Sequence, residues 1–126
     1  MEKISHRILI VEDDADSADA LQILLEMNQH EVEIASDGEA ALIKADKFIP
    51  HIIICDIGLP GNMNGHDVAS AIRANERLCS VYMIALSGYG EARDIQNSEN
   101  TGFNSHLVKP PDFEKLLSMI ENLRFF

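Results

Sequence analysis

Five short stretches of the chain have the apolar pattern of β-strands, and most of them are unbroken apolar runs. We place these strands at about 7–12, 31–35, 51–56, 81–87 and 105–109. Apolar residues along a whole strand predict burial on both faces, which is typical of a parallel sheet covered by helices. The second stretch differs because apolar and polar residues alternate from Glu31 to Ala35. This alternation predicts a strand towards the edge of the sheet.

Helical spacing of apolar residues fills the gaps between the strands. Apolar side chains recur every three or four residues in 18–28, 41–48, 68–72 and 113–123. We expect Asp14 or Asp16 to cap the first helix, Asp112 to cap the last, and Met27 to pack in the core. The stretch 91–100 has few apolar anchors and predicts a short or mobile helix. The alternation of strands and helices along the chain predicts a (βα)5 fold of class α/β, which is an open parallel sheet with right-handed crossovers.

Composition indicates one domain that spans residues 1–126. The chain has 126 residues, and its net charge is −11 because 10 basic side chains face 21 acidic ones. Such a charge disfavours direct binding to nucleic acid phosphates. No apolar run approaches the ~20 residues of a membrane helix, so we expect no membrane insertion. The first residues lack a signal-peptide pattern, and the two cysteines lack metal or redox spacing. We therefore expect a reducing, cytoplasmic setting.

Each strong apolar run ends in side chains that can carry chemistry. The first ends in Glu12, Asp13 and Asp14, the third in Asp56. The fourth and fifth end in the residues Ser87 and Lys109. In an open parallel sheet the ligand site lies beyond the carboxyl ends of the strands. These residues are therefore expected to meet at one edge of the sheet, although they are far apart in the chain.

The acidic side chains of this edge require compensation. Two carboxylates ~4 Å apart repel each other by about 4 kcal/mol at an effective dielectric near 20. With Glu12, Asp13 and Asp56 in one pocket, Lys109 alone does not offset the repulsion. Either some of the carboxyl groups are protonated, or a cation occupies the pocket. Mg²⁺ fits because it binds one or two carboxylates together with water and phosphoryl oxygens.

The motifs at the strand ends resemble those of a known signalling family. They are Ile10-Val11-Glu12-Asp13-Asp14, Asp56 with Leu59-Pro60 and Gly65, Ala85-Leu86-Ser87-Gly88, and Val108-Lys109-Pro110. Together, and in this order, they are similar to the response-regulator receiver domains of two-component signalling, of the chemotaxis-regulator type. The resemblance covers essentially the whole chain. It implies a doubly wound, flavodoxin-like sheet with strand order 2-1-3-4-5.

The resemblance also implies a function and a set of site residues. Asp56 would accept a phosphoryl group from a phosphohistidine on a partner histidine kinase or histidine phosphotransfer protein. Lys109 and Mg²⁺ would shield the reacting charges, which makes this a signalling domain that catalyses only its own phosphorylation and dephosphorylation. The implied metal ligands are Glu12, Asp13, Asp56 and the backbone carbonyl of Gly58. Asp14 would be a peripheral acid, and Lys109-Pro110 would be a cis peptide.

The resemblance further implies a switch and shows some departures. Ser87 would bind a phosphoryl oxygen, and His106 occupies the position where the family often has a switch tyrosine or phenylalanine. A titratable ring there raises pH-sensitive signalling as one possibility and a solvent-facing histidine as the other. Gly65 lies nine residues after Asp56 instead of eight, so the loop 61–64 holds one extra residue. Gly58 and Tyr89 lie where side chains influence the phosphoryl lifetime.

Two other functions remain open at this stage. A degenerate receiver would act as a phosphorylation-independent binding module, but it would have lost one of the pocket residues. A Mg²⁺ phosphatase of the haloacid-dehalogenase type would use Asp56 as its nucleophile, but residue 58 is glycine where that family has an acid. The kinase, the downstream target and the choice between a stand-alone regulator and a domain of a hybrid kinase are not determined by the sequence.

Overall fold

The protein alternates strands and helices along the chain, and the computed structural model describes residues 4–88 and 102–125. The strands are β1 (Arg7–Val11), β2 (Glu31–Ala35), β3 (Ile52–Asp56), β4 (Tyr82–Ser87) and β5 (Ser105–Val108). The described helices are α1 (Ala15–Met27), α2 (Gly38–Phe48), α3 (Gly65–Ala74) and α4 (Phe113–Glu121). The helix predicted at 91–100 and the residue Tyr89 lie outside the described residues. Within these residues, no helix has both the length and the apolar character needed to cross a bilayer.

The five strands form one parallel sheet in the order β2-β1-β3-β4-β5. This confirms the predicted fold class and strand order, and it confirms that β2 lies at an edge. In the register of the central pairs, Val11 lies opposite Cys55, and Asp56 lies opposite Leu86. The carboxyl ends of the three central strands therefore lie at the same level of the sheet.

Helices cover both faces of the sheet and create two apolar cores. Strand β3 is buried along its whole length, and its side chains alternate between the two cores. The first core lies towards α2 and α3 and includes Cys55, which is 0% exposed as expected for a small core residue. The second core lies towards α1 and α4. Burial on both faces gives the central strands a fixed register, so their ends are held in place.

Polar side chains begin each described helix. Asp14 caps α1, Asp37 caps α2 and Asp112 caps α4, each by accepting a hydrogen bond from a backbone N–H of the first turn. The structure thus selects Asp14 over Asp16 as the first cap and confirms Asp112. Helix α3 begins with a reciprocal capping box in which Asn64 and Asp67 each accept from the other's backbone N–H.

The expectation that Met27 packs in the core is wrong. Its side chain is 76% exposed, whereas Leu25 in the same turn is 0% exposed. The reason is the geometry of the helix. An α-helix has 3.6 residues per turn, so residues two positions apart in the chain, such as Leu25 and Met27, lie about 200° apart around the helix axis. Met27 therefore points away from the stripe that contains Leu25.

Three of the five histidines meet at the end of the sheet opposite to the acidic strand ends. His6, His30 and His51 each directly precede a strand, and the His6 ring lies 5.5 Å from the His30 ring and 5.9 Å from the His51 ring. The rings of His6 and His51 also contact Phe125, at 5.3 and 5.5 Å. Nδ1 of His30 accepts the backbone N–H of His6, and Nδ1 of His51 accepts that of Arg7. The two imidazoles thus replace carbonyl oxygens at the start of β1.

Candidate functional site

Three carboxylates meet at the carboxyl ends of β1 and β3. Glu12 and Asp13 follow β1, and Asp56 is the last residue of β3. Each offers a carboxylate oxygen, and these three oxygens all lie within 4.8 Å of one another. Glu12 and Asp56 are buried, while Asp13 is exposed at the mouth of the group. The convergence predicted from the strand ends is therefore present.

Lys109 joins two of these carboxylates. Its Nζ donates to Oε1 of Glu12 and to Oδ2 of Asp56, both at 2.7 Å. Lys109 directly follows β5, and its backbone N–H donates to the carbonyl of Ser87 at 2.7 Å. The Lys109–Pro110 peptide is cis, as the resemblance implied. The ammonium group thus reaches the site from the far edge of the sheet.

Backbone groups of the loop after β3 hold Asp56. Its Oδ1 accepts the N–H of Gly58 at 3.0 Å. Gly65, the first residue of α3, donates its N–H to the carbonyl of Ile57 at 2.9 Å. A Cβ at Gly65 would lie only 2.5 Å from the carbonyl oxygen of Asp56. The helix therefore starts against the backbone of the acidic residue, and only glycine fits this close approach.

Asp14 lies beside the acidic group but is engaged with α1. Its carboxylate accepts hydrogen bonds from the backbone N–H and the hydroxyl of Ser17, and these bonds lower the pKa of Asp14. Its own N–H donates to Oε2 of Glu12 at 3.2 Å. Glu12 is therefore held at both oxygens, by Lys109 on one side and by the start of α1 on the other.

The charges of the buried groups are strongly linked. Burial raises the pKa of Glu12, and the neighbouring Asp56 adds to this effect, while the bonds from Lys109 and from Asp14 oppose it. Burial opposes the charge of Lys109, but its bonds to Asp56 and Glu12 outweigh burial and raise the pKa of this lysine. The ammonium group is therefore held charged at neutral pH. Two carboxylates share a single ammonium, and an oxygen of Asp13 lies within 4.8 Å of oxygens of both, so the site attracts further positive charge.

The donor set fits a hard divalent cation. Three carboxylate oxygens within 4.8 Å of one another are hard ligands of the kind that Mg²⁺ prefers, and exposed Asp13 leaves the group open to solvent. Among residues 4–88 and 102–125, the donors to the oxygens of Glu12 and Asp56 are Lys109 Nζ and the backbone N–H groups of Asp14 and Gly58. The N–H of Gly58 donates to Asp56, and the role of the Gly58 carbonyl as a metal ligand stays a prediction.

Ser87 is the last residue of β4, the strand next to β3, and its side chain contacts His106. Its hydroxyl oxygen lies 2.7 Å from Nε2 of His106 on β5. Ser87 is buried, and His106 is half-buried. The structure thus joins the two predicted switch residues by a direct hydrogen bond. The alternative of a histidine that only faces solvent is therefore wrong.

An apolar cleft of about 420 Å³ adjoins the site on the side of Lys109. It lies between α1 and the segment that leads into α4. Its lining includes Ala20 and Leu21 of α1, Leu86 of β4, and Pro110, Pro111 and Phe113. Phe113 is 40% exposed. The cleft therefore offers apolar surface directly next to the acidic group.

Sequence reasoning missed the histidine cluster at the opposite end. The signal was present, because each of His6, His30 and His51 immediately precedes an apolar strand. The amino ends of parallel strands also meet at one edge, so the same argument that gathered the acids would have gathered these rings. The buried thiol of Cys55 is no redox candidate, since burial and the nearby charges of Asp56 and Glu12 raise its pKa.

Comparison with known proteins agrees with this geometry. The family model for the response regulator receiver domain matches residues 8–121. The chain belongs to this family. An uncharacterized 14.6 kDa protein of Leptolyngbya boryana is 30% identical over 114 residues, which are 90% of this chain and 86% of that protein. The chemotaxis response regulator CheY4 of Vibrio cholerae superposes with a TM-score of 0.86 at 28% identity, over 93% of this chain and 97% of that one.

Some relatives are longer regulators. The DNA-binding dual master transcriptional regulator RpaA of Synechocystis is 32% identical over 117 residues, which are 93% of this chain and 48% of that protein. The chain thus spans about half the length of this relative and of the mycobacterial regulator MtrA. Family membership shows a signalling domain of two-component response regulators, which disfavours the phosphatase and does not favour the degenerate module over a phosphoacceptor.

Proposed function

We propose that Asp56 is the phosphoacceptor of this receiver domain. The observation that carries the proposal is the pair of 2.7 Å bonds from Lys109 Nζ to Asp56 and Glu12 at the junction of three strand ends. A carboxylate attacks phosphorus when its own charge and those of the phosphoryl oxygens are neutralised nearby. Asp56 has this neutralising group in contact and lies next to a set of carboxylates that suits a metal ion.

The reaction transfers a phosphoryl group between two side chains. A carboxylate oxygen of Asp56 forms the new P–O bond, and the P–N bond to the partner's phosphohistidine breaks. The leaving nitrogen keeps the electron pair, and the partner's ring takes up one proton from solvent and departs as a neutral imidazole. The N–H of Gly58 and the ammonium of Lys109 hold the acceptor carboxylate in place, so that binding supplies the orientation of the attack.

Glu12, Asp13 and Asp56, with the carbonyl of Gly58, would hold Mg²⁺ in this pocket. When bound, Mg²⁺ neutralises the developing charge on the phosphoryl oxygens. Lys109, which donates to Glu12 and Asp56, would also have N–H donors to offer a phosphoryl oxygen bound at Asp56. A bound cation would favour the charged form of Glu12, which burial opposes.

Ser87 would act after transfer by donating its hydroxyl to a phosphoryl oxygen. The new group brings close to two negative charges and strong acceptor oxygens next to the ends of β4 and β5. Its arrival changes the hydrogen bonding of Ser87 and therefore the surface around β5. The donor would be a histidine kinase or a histidine phosphotransfer protein, and the apolar cleft between α1 and Pro110-Pro111 suits a helical partner that brings its phosphohistidine to Asp56.

Intact-mass measurement with a small phosphodonor tests the proposal. With acetyl phosphate and Mg²⁺, the wild-type chain should gain one phosphoryl group, and chelation of Mg²⁺ should prevent the gain. Asp56→Asn should gain none, because an amide oxygen is not a competent nucleophile. Asp19→Asn, at an exposed position of α1, is the matched control and should behave as wild type. Equal uptake by Asp56→Asn would refute the assignment.

A further inference from the structure

In the hydrogen bond between Ser87 and His106, either residue can be the donor of the proton. A hydroxyl carries a single proton, and a neutral imidazole carries a proton on only one of its two nitrogens. At 2.7 Å the two atoms share one proton along the line that joins them. Either Ser87 donates to a bare Nε2, or a protonated Nε2 donates to the oxygen of Ser87. Both positions of the proton are compatible with the distance between Oγ of Ser87 and Nε2 of His106.

Phosphorylation removes one of these two forms. This step rests on the proposed function, in which Ser87 donates to a phosphoryl oxygen. An ionised phosphoryl group presents acceptors only, so the single hydroxyl proton of Ser87 must point towards it. Ser87 then has only lone pairs to offer His106. We propose that phosphorylation of Asp56 fixes a proton on Nε2 of His106, which then donates to Ser87 and positions the serine hydroxyl towards the phosphoryl group.

The proton on Nε2 has two possible sources, and neither removes the proton of Ser87. A neutral ring exchanges protons with water and moves from the form protonated at Nδ1 to the form protonated at Nε2, with no net uptake. Alternatively, the ring takes up one proton from solvent and becomes an imidazolium. The uncharged Ser87 of β4 hydrogen-bonds His106, and the charged residue nearest to His106 in the sequence is Lys109. Both forms have the Nε2–H that the proposal requires.

A donor at position 106 should strengthen the bond from Ser87 to the phosphoryl group, because hydrogen bonds in a chain polarise one another. His106→Gln keeps an N–H donor at a similar reach, while His106→Leu has none. We expect the half-life of phosphorylated Asp56 to fall about two- to tenfold in His106→Leu, the range expected for one neutral hydrogen bond. His106→Gln should stay within about twofold of wild type on the same scale.

Nitrogen NMR of the imidazole rings tests the proposal directly. The full chain, labelled with ¹⁵N, is measured before and after phosphorylation by acetyl phosphate with Mg²⁺, and intact mass is recorded on the same sample. In the phosphorylated protein Nε2 of His106 should be protonated. His51, at the opposite end of the sheet, should be the same in both states and serves as the internal control.

The outcomes separate this inference from the proposed function. A sample that carries one phosphoryl group on Asp56 and still has a bare Nε2 overturns the role of His106 and leaves the phosphoacceptor intact. A chain that gains no phosphoryl group overturns the proposed function and this inference together.

Discussion

Lys109 is the residue on which the electrostatics of the site depend most. It bonds to two buried carboxylates at 2.7 Å, and no other lysine or arginine of the described residues contacts them. Hydrogen bonds to charged groups contribute about 1.5–3 kcal/mol each, so their loss is large compared with most single contacts. The chemistry of Asp56 therefore depends on a side chain that lies 53 residues away in the chain.

Replacing this lysine tests its role. Lys109→Met should slow phosphorylation by acetyl phosphate about tenfold or more, because the stabilisation of one charged hydrogen bond is lost. Lys115→Met, at an exposed position of α4, removes the same charge from the chain and should leave the rate unchanged. A Lys109→Met protein that reacts at the wild-type rate would exclude Lys109 from the reaction.

Gly65 controls how closely α3 approaches the acidic strand end. A Cβ there would lie 2.5 Å from the oxygen of Asp56 and 2.6 Å from Cα of Ile57, and both neighbours are backbone atoms that yield little. Gly65→Ala should therefore lower the free energy of unfolding by about 1–3 kcal/mol, as overpacking does elsewhere. Gly88→Ala meets nothing within 4 Å and is the matched control for urea unfolding. Equal stability of the two variants would show that α3 adjusts freely.

The membership of the site was predictable from the sequence, but its contacts were not. Glu12, Asp56, Ser87 and Lys109 each end an apolar run, and parallel strands bring such ends together. The sharing of Lys109 between Glu12 and Asp56 depends on side-chain rotamers, which the pattern of apolar residues does not determine. The bond from Ser87 to His106 was unpredictable for the same reason.

At the scale of elements, Arg73 ties α3 to the strands around β4. Its guanidinium donates to the carbonyls of Gly102, Cys79 and Val81 and to Oδ1 of Asn104, at 2.6–2.9 Å. The same Oδ1 of Asn104 accepts the N–H of Met83 at 2.8 Å. One side chain at the end of α3 thus fixes both the entry to β4 and the entry to β5.

A pair of arginine variants measures this connection. Arg73→Met should lower the free energy of unfolding by about 2–3 kcal/mol, because several half-buried carbonyls lose a charged donor at once. Arg77→Met is the control, since Arg77 also lies near the end of α3 and pairs with Asp46 at 2.9 Å with both side chains more than half exposed. Its loss should cost less than about 1 kcal/mol. Urea unfolding of both variants decides whether Arg73 matters more than the exposed pair.

The elements were largely predictable, and their neighbours less so. Strands β1 to β5 lie within one residue of their predicted bounds, because polar or turn-forming residues bound each short apolar stretch. The alternation in β2 also placed it at an edge. The order of the remaining strands came from the resemblance to a family, since periodicity alone does not say which strands pair. Met27 was misplaced because a stripe of apolar residues does not include every apolar residue near it.

At the scale of the molecule, the two ends of the sheet carry opposite kinds of titratable group. Carboxylates gather where the strands end, and histidines gather where they begin. Burial lowers the pKa of His6, and the charges of His30, His51 and Arg124 lower it further, while a backbone bond to Ile120 opposes this. Burial and the charge of Arg7 lower the pKa of His51, and Glu31 opposes them. The folded chain therefore binds protons at these histidines less readily than the unfolded chain.

This difference predicts a loss of stability in mild acid. Below the ordinary histidine pKa of 6.5 the unfolded chain takes up protons before the folded chain does. The contribution of His6 and His51 to the free energy of unfolding should therefore be at its full value above pH 6.5, and it should be lost as the pH decreases below that value. His51→Asn keeps an acceptor for the N–H of Arg7 but does not titrate, so its stability should fall less steeply with pH. Urea unfolding of the wild type and of His51→Asn at each pH measures the two slopes, and equal slopes would contradict the role of His51.

The proposed function requires that one aspartate among several neighbouring acids receives the phosphoryl group. Borohydride reduces an aspartyl phosphate to homoserine, so peptide mass mapping after reduction identifies the phosphorylated residue directly. After reaction with acetyl phosphate and Mg²⁺, we expect homoserine at position 56 and unchanged aspartate at Asp13 and Asp14. Homoserine at Asp13 or Asp14, or no homoserine in a protein that has gained a phosphoryl group, would contradict the account.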